Sequence, residues 1–217
     1  MSALYVFAIT RDAPPGFALE GHRVEFMPVS GVVAAIERSG ARQPVSEAAL
    51  RVQHDVVLQI AARVDEILPV RFGAFVDTPE LEQVLTLRQS AIHEALELVR
   101  GCVQMTIRFR DDEPAEQVAD VRRSVVAATG TAYLEARRAA AMRPVPAAAL
   151  ATVEAVRHLV VAERHDSSQR SPERSIYHLI QRDRVRDYLA ALSAVDLPSM
   201  TVSGPWPPFA FAPDLWP

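Results

Sequence analysis

The 217-residue chain contains no lysine, so all 23 of its lysine-or-arginine positions are arginine, and it has a single cysteine, Cys102. One cysteine excludes an intramolecular disulfide and fits a reducing compartment better than a disulfide-stapled secreted scaffold. No stretch reaches the roughly 18 uninterrupted apolar residues that a membrane-spanning helix needs, so no membrane association is expected. The opening run Leu4-Tyr5-Val6-Phe7 has no basic region before it and is cut short by Arg11-Asp12, which reads as a first strand rather than a secretion signal. The patterns GxGxxG, GxSxG and HExxH are absent. Gly130-Thr131-Ala132 has no lysine after it and fails the phosphate-loop pattern. The arginines are scattered and balanced by 27 acids to a formal charge of −4, which lacks the one-sided basic footprint of a nucleic-acid binder.

The residue types that could carry chemistry are isolated from one another. Cys102 opens an apolar strand with no histidine near it in sequence, the setting of a buried inert thiol. His158 and His165 lie seven apart on an expected helix, two turns rather than the one that lets two imidazoles share an ion. His54-Asp55 and His93-Glu94 are sequence neighbours on helices, where adjacent side chains do not face each other. Asp111-Asp112-Glu113 lacks the alternating ligands of a calcium loop and reads as a solvated turn. No catalytic residue, cofactor or metal ligand is therefore expected, and the chain reads as a protein that works by binding another protein.

What is present is a 49% hydrophobic chain able to build a core. Ala3 to Thr10 reads as a strand, with shorter strands at His22 to Pro28 and Gly31 to Glu37 separated by a turn at Ser30-Gly31. Ser46 is a candidate N-cap for a helix from Glu47 to about Glu66, with Leu50, Val57, Ile60, Ala61, Val64 and Ile67 on one face. Ile67 to Val76 reads as one strand with Pro69 at its start or on an edge. Thr78-Pro79-Glu80 then opens a helix with a capping hydroxyl, and its stripe runs through Leu81, Leu85, Ile92, Leu96 and Val99 to Gly101. Val103, Met105, Ile107 and Phe109 alternate with Gln104, Thr106 and Arg108, the pattern of a strand with one wet face. Helices are expected over Ala115 to Ala128, Thr131 to Met142 and Ala147 to Arg164, with a flexible loop at Asp166 to Pro172. A strand at Ser175 to Gln181 follows, then a helix from Asp183 to Val195 carrying Val185, Tyr188, Leu189 and Leu192, and a strand at Met200 to Ser203. The order strand, helices, strand, helix, strand makes the second half a relative of the ferredoxin-like arrangement with inserted helix.

Two features do not fit a plain scaffold. Arg71 lies inside an apolar run, where an unpaired charge costs several kcal/mol to bury, so an acid such as Glu47, Asp55 or Asp77 is expected beside it. The segment Gly204-Pro205-Trp206-Pro207-Pro208-Phe209-Ala210-Phe211 is too rich in proline for a central strand. It should run extended, with Trp206 and Phe209 either packed back on the core or offered to a partner.

Leu68-Pro69-Val70-Arg71-Phe72-Gly73, then Gly130-Thr131-Ala132-Tyr133-Leu134, then Ser203 to Phe211 occur in an order that resembles the gas vesicle protein F/L family. The opening strand and the helix containing His54 resemble it too. Val70 departs from a leucine common in that family, Ala74 from threonine, and Phe209-Ala210 from tyrosine-serine. The chain is also short for the family, with trimmed loops near residues 12–21 and 39–45. The resemblance implies an α+β fold in two domains, 1–100 and a modified ferredoxin-like 101–217. It implies an accessory or minor component of gas vesicles, acting in the cytoplasm and at the vesicle, with the small hydrophobic shell protein and other accessory proteins as partners. No catalytic residues come with it. Arg71, Phe72, Trp206, Phe209 and Phe211 are the candidate docking or structural residues. A ferredoxin-like regulatory protein that binds a small ligand is the alternative.

Overall fold

The structure, a computed structural model, describes residues 3–18, 22–39, 45–110, 147–166, 173–195 and 200–216. Strand β1, Ala3–Thr10, is buried almost throughout rather than on alternate residues, the mark of a strand covered on both faces. It pairs antiparallel with β3, Val32–Ser39, through a register that slips between Val6 and Ala8 at a bulge. β3 in turn pairs with β2, Val24–Val29, across a two-residue turn. That turn is Ser30-Gly31, with φ of 49° and 79°, positive at both central residues as a tight hairpin of right-handed twist requires. Ala34 and Ala35 are thus strand, buried at the centre of the sheet.

The run expected as one strand from Ile67 to Val76 is instead two short pieces on the same partner. β4, Ile67–Pro69, pairs with residues 8–10 of β1, and β5, Phe75–Val76, pairs with residues 4–5. Between them residues 70–74 loop out, held at each root where Val70 N donates to Phe7 O and Val6 N donates to Ala74 O. Gly73, at φ 92°, supplies a backbone conformation that side-chain-bearing residues rarely adopt, which is why the strand breaks there. Arg71 is consequently on a loop and exposed, so no buried acid is needed beside it.

Helix α1, Glu47–Ala61, begins at Ser46, whose hydroxyl accepts from Ala49 N, and ends several residues sooner than its apolar spacing suggests. It packs on β1 and β4 through Val56, Val57 and Ile60, each worth roughly 1.5–3 kcal/mol of burial. Leu50, expected on that face, is exposed. The helix expected from Thr78 is two: α2, Thr78–Leu87, and α3, Gln89–Val99, broken at Arg88 with φ −103° and ψ 11°. Its cap is Asp77 rather than Thr78, the carboxylate accepting from Glu80 N, because Pro79 sits one residue deeper than the reading from Thr78 placed it. α2 packs against β2, α3 against β4.

β6, Cys102–Arg110, is buried on both faces from Cys102 to Ile107, including Gln104 and Thr106, so the expected wet face is absent there. α4, Ala147–Val156, is shorter than expected. A 3₁₀ turn at Arg157–Leu159 leads into a strand, β7, Val160–His165, and the β-branched Val160-Val161 start it. His158 and His165 therefore do not share a helix. β8, Glu173–Gln181, α5, Val185–Ser193, and β9, Met200–Trp206, complete the described elements. Tyr188 and Leu192 of α5 are buried while Leu189 is exposed. The helices expected within 115–142, the Asp111 to Glu113 turn, the Gly130 to Leu134 block and most of the 166–172 loop lie outside the described residues.

The fold is thus α+β, with two antiparallel sheets and five helices among the described residues. The strand orders are β2-β3-β1-β4, with β5 also on β1, and β7-β8-β6-β9. The chain divides into two compact units, one of residues 1–105, 179–183 and 204–217, the other of 106–178 and 184–203.

Candidate docking surface at the C-terminal segment

The segment from Gly204, near the end of β9, to Trp216 is built from the inside outward. At Gly204, with φ 127°, the main chain passes so close to β6 that an added Cβ would lie 2.8 Å from Gln104 O and 2.9 Å from Met105 Sδ. The Gly204–Pro205 peptide is cis. Pro207 and Pro208 are buried, a 3₁₀ turn spans Phe209–Phe211, and Ala210 N donates to Gln104 Oε1 at 2.7 Å. That contact explains why Gln104 is dry. Phe211 and Leu215 are buried and anchor the segment.

Trp206 and Phe209 point the other way. They flank His54 of α1, Trp206 edge-on at 5.6 Å between ring centroids and Phe209 stacked at 6.3 Å with planes 18° apart. Phe209 stays 37% exposed, and Trp206 and His54 are partly exposed. Phe211 is thus buried, while Trp206 and Phe209, the two rings expected either on the core or facing a partner, are only partly covered and form a strip with His54. His54 was legible only as a lone helical histidine, since its partners lie about 150 residues away.

The loop carrying Arg71 and Phe72 is positioned by buried polar groups. Tyr5 OH donates to Gln53 Oε1, and Gln53 Nε2 donates to Val70 O at 2.6 Å. Gly73 N donates weakly to the Tyr5 oxygen at 3.5 Å. Burial pushes the Tyr5 phenol up to about 12 against the opposing effect of the Gly73 N–H, so it remains a donor. Phe72 is half-buried and meets the Tyr5 ring edge-on at 6.1 Å. Arg71 pairs with Asp214 of the tail, Nε to Oδ1 at 2.9 Å, and not with Glu47, Asp55 or Asp77. The pair is a surface one, its side chains 83% and 60% exposed.

Other polar clusters serve each unit by itself. In the first, the buried carboxylate of Glu66 accepts from Arg11 Nε at 2.5 Å and Arg100 Nε at 2.6 Å, and both arginines also reach Glu97. Cys102 is buried, its thiol pushed up by burial against the weaker pull of Arg182. In the second, His178 is fully buried, with Nδ1 2.7 Å from Tyr188 OH and Nε2 3.0 Å from Glu163 Oε2, while Glu163 Oε1 lies 2.6 Å from His165 Nε2. Burial holds His178 below its ordinary value despite Glu163. Burial would raise Glu163, but its hydrogen bond from His165 and the charges of both histidines together bring it below the usual carboxylate range. A neutral His178 then donates from Nε2 and accepts the Tyr188 proton at Nδ1. Its periodic strand neighbours gave no sign of this relay. Among the described residues, no group of three or more His, Cys, Asp and Glu is placed to hold a metal ion.

Fold and surface together define an α+β protein that carries a solvent-facing aromatic strip on an anchored terminal segment. The family model for gas vesicle synthesis protein GvpL/GvpF matches residues 3–213, and the chain belongs to that family. In fold it is similar to the crystal structure of the gas vesicle protein GvpF from Anabaena sp. PCC7120, with a TM-score of 0.70 at 15% identity over 98% of this chain and 99% of that one. GvpF from Microcystis aeruginosa superposes with a TM-score of 0.71 at 15% identity over 97% and 99%. No curated protein sequence matched the chain.

Proposed function

We propose that the chain is an accessory or minor structural protein of gas vesicles that binds the small hydrophobic shell protein and assists its assembly, working in the cytoplasm and at the vesicle. The observation that carries this reading is the partly exposed strip of His54, Trp206 and Phe209. Leu50, one turn from His54 on α1 and 45% exposed, extends it. A shell subunit with a large apolar surface requires a partner that presents large, rigid apolar groups already in place, which lowers the ordering cost of docking. Phe211 and Leu215, both buried, anchor the tail that carries the strip. Other vesicle accessory proteins are further partners in this reading.

In its finer architecture the chain reads as an N-terminal α+β domain over 1–100 and a modified ferredoxin-like domain over 101–217. Support comes from the element order β6, α4, β7, β8, α5, β9 and the sheet order β7-β8-β6-β9, the β-α-β-β-α-β pattern with additional residues between β6 and α4. The strand β7, hidden in a run that reads as helix, supplies the fourth strand.

The test is co-expression of the tagged chain with the shell protein and pull-down, alongside Trp206→Ala, Phe209→Ala and Arg71→Ala. Wild type should retain shell protein, Trp206→Ala and Phe209→Ala should lose most of it, and Arg71→Ala should fold with stability within about 0.5 kcal/mol of wild type. Failure of the wild type to retain shell protein, with other accessory proteins retained, would refute direct shell binding.

A further inference from the structure

The outlooped residues 70–74 and the tail residues 213–216 line an open cleft of about 280 Å³ that shares no lining residue with the aromatic strip. This is at the small end for a metabolite site, large enough for one or two residues of a peptide. Arg71 stands on one wall, its Nε 2.9 Å from Asp214 Oδ1, and a guanidinium fork is built to hold a carboxylate bidentately. Both members of the pair face water, where an ion pair gains little and exchanges readily. The other wall holds a second donor. Trp216 Nε1 is buried and has no hydrogen-bond acceptor among the described residues. A buried indole N–H without a partner is unfavourable, and a peptide carbonyl would remove that cost.

We propose that this cleft binds an acidic polypeptide segment, its carboxylate taking both arms of the Arg71 fork in place of Asp214 and a neighbouring main-chain carbonyl accepting from Trp216 Nε1. Asp214 is then an intramolecular occupant that a partner must displace. Trp216 lies two residues beyond Asp214 on the same tail, so a segment that displaces Asp214 comes to lie beside the indole. An acid supplied by the partner replaces an acid of the chain's own, so binding depends on charge and fork geometry rather than on apolar area. This inference needs a polypeptide partner but not the shell protein in particular.

The experiment uses the full chain with Trp206→Phe, which leaves Trp216 as its sole tryptophan, titrated by fluorescence with a capped pentapeptide carrying one central glutamate and with its glutamine twin. The glutamate peptide should change Trp216 emission saturably and the glutamine peptide should not. Asp214→Asn should lower the half-saturating concentration at least three-fold, Arg71→Gln should abolish the response, and Arg71→Lys, which keeps the charge and loses the fork, should weaken it several-fold. Arg71 and Asp214 are exposed, so all three variants should melt like the parent. Equal responses to the two peptides, no response to either, or an unchanged half-saturation in Asp214→Asn would overturn the proposal. Loss of the peptide response with shell protein still retained in pull-down would remove the cleft and leave the docking strip standing. Loss of shell retention with the peptide response intact would do the reverse.

Discussion

Tyr5 begins a chain of hydrogen bonds that ends on the Val70 carbonyl, so one phenol on the first strand decides where the Arg71 loop sits. Tyr5→Phe strands the Gln53 carbonyl oxygen inside the protein, and urea unfolding should show a loss of about 1–3 kcal/mol. Glu66→Ala should cost less, about 1–2 kcal/mol, since Arg11 and Arg100 are partly exposed and can turn to water once their shared carboxylate is gone. His178 gives the chain a pH dependence. Its folded value lies below the ordinary 6.5 or so, so the unfolded chain takes up the proton first as pH falls. The stability it contributes is present above about pH 6.5 and declines as pH drops from there toward the folded value. Glu163, also held low, adds a second loss that begins as pH falls below about 4.3. The groups facing His178 are Glu163, His165 and Tyr188. Denaturant midpoints at pH 7 and pH 5 should separate in the wild type and converge in His178→Gln, which should be less stable at both.

At the scale of elements, the tail's hold on the sheet should fail at two places for different reasons. Phe211→Ala removes a buried ring and should lower stability by about 3–5 kcal/mol in denaturant unfolding. Gly204→Ala drives a methyl group against the Gln104 carbonyl from a backbone conformation alanine disfavours, and should lower the melting temperature by several degrees. The strands at Ala3 to Thr10 and Cys102 to Phe109 and the start of α1 were legible in sequence from β-rich composition and a capping serine, although the alternation in Cys102 to Phe109 pointed to a wet face that is buried up to Ile107. The breaks were not. Arg88 interrupts a stripe that stays in phase on both sides, Val160 to His165 hides a strand in a run whose composition favours helix, and the division of 67–76 is imposed by pairing with β1. Of the candidate site, the residue types were readable, but Asp214 meets Arg71, and His54 meets Trp206 and Phe209, only through contacts between segments some 140–155 residues apart, which no local pattern encodes.

For the molecule as a whole, the first compact unit draws on residues 204–217 as well as on 1–105. A fragment ending at residue 105 lacks Phe211 and Leu215, and should be recovered mostly insoluble, with intrinsic fluorescence and gel filtration reporting aggregation of the remainder. Supplying residues 200–217 as a peptide should return part of it to solution. The same dependence has a temporal side. On the ribosome, Gly204 follows Met105 by about 100 residues, an interval of roughly 5–20 s at 5–20 residues per second. For that time the nascent chain carries an uncovered apolar seat for Phe211. Translation speed through residues 106–203 thereby becomes a determinant of yield, and slowing it should increase the share of chains captured by chaperones before the tail arrives.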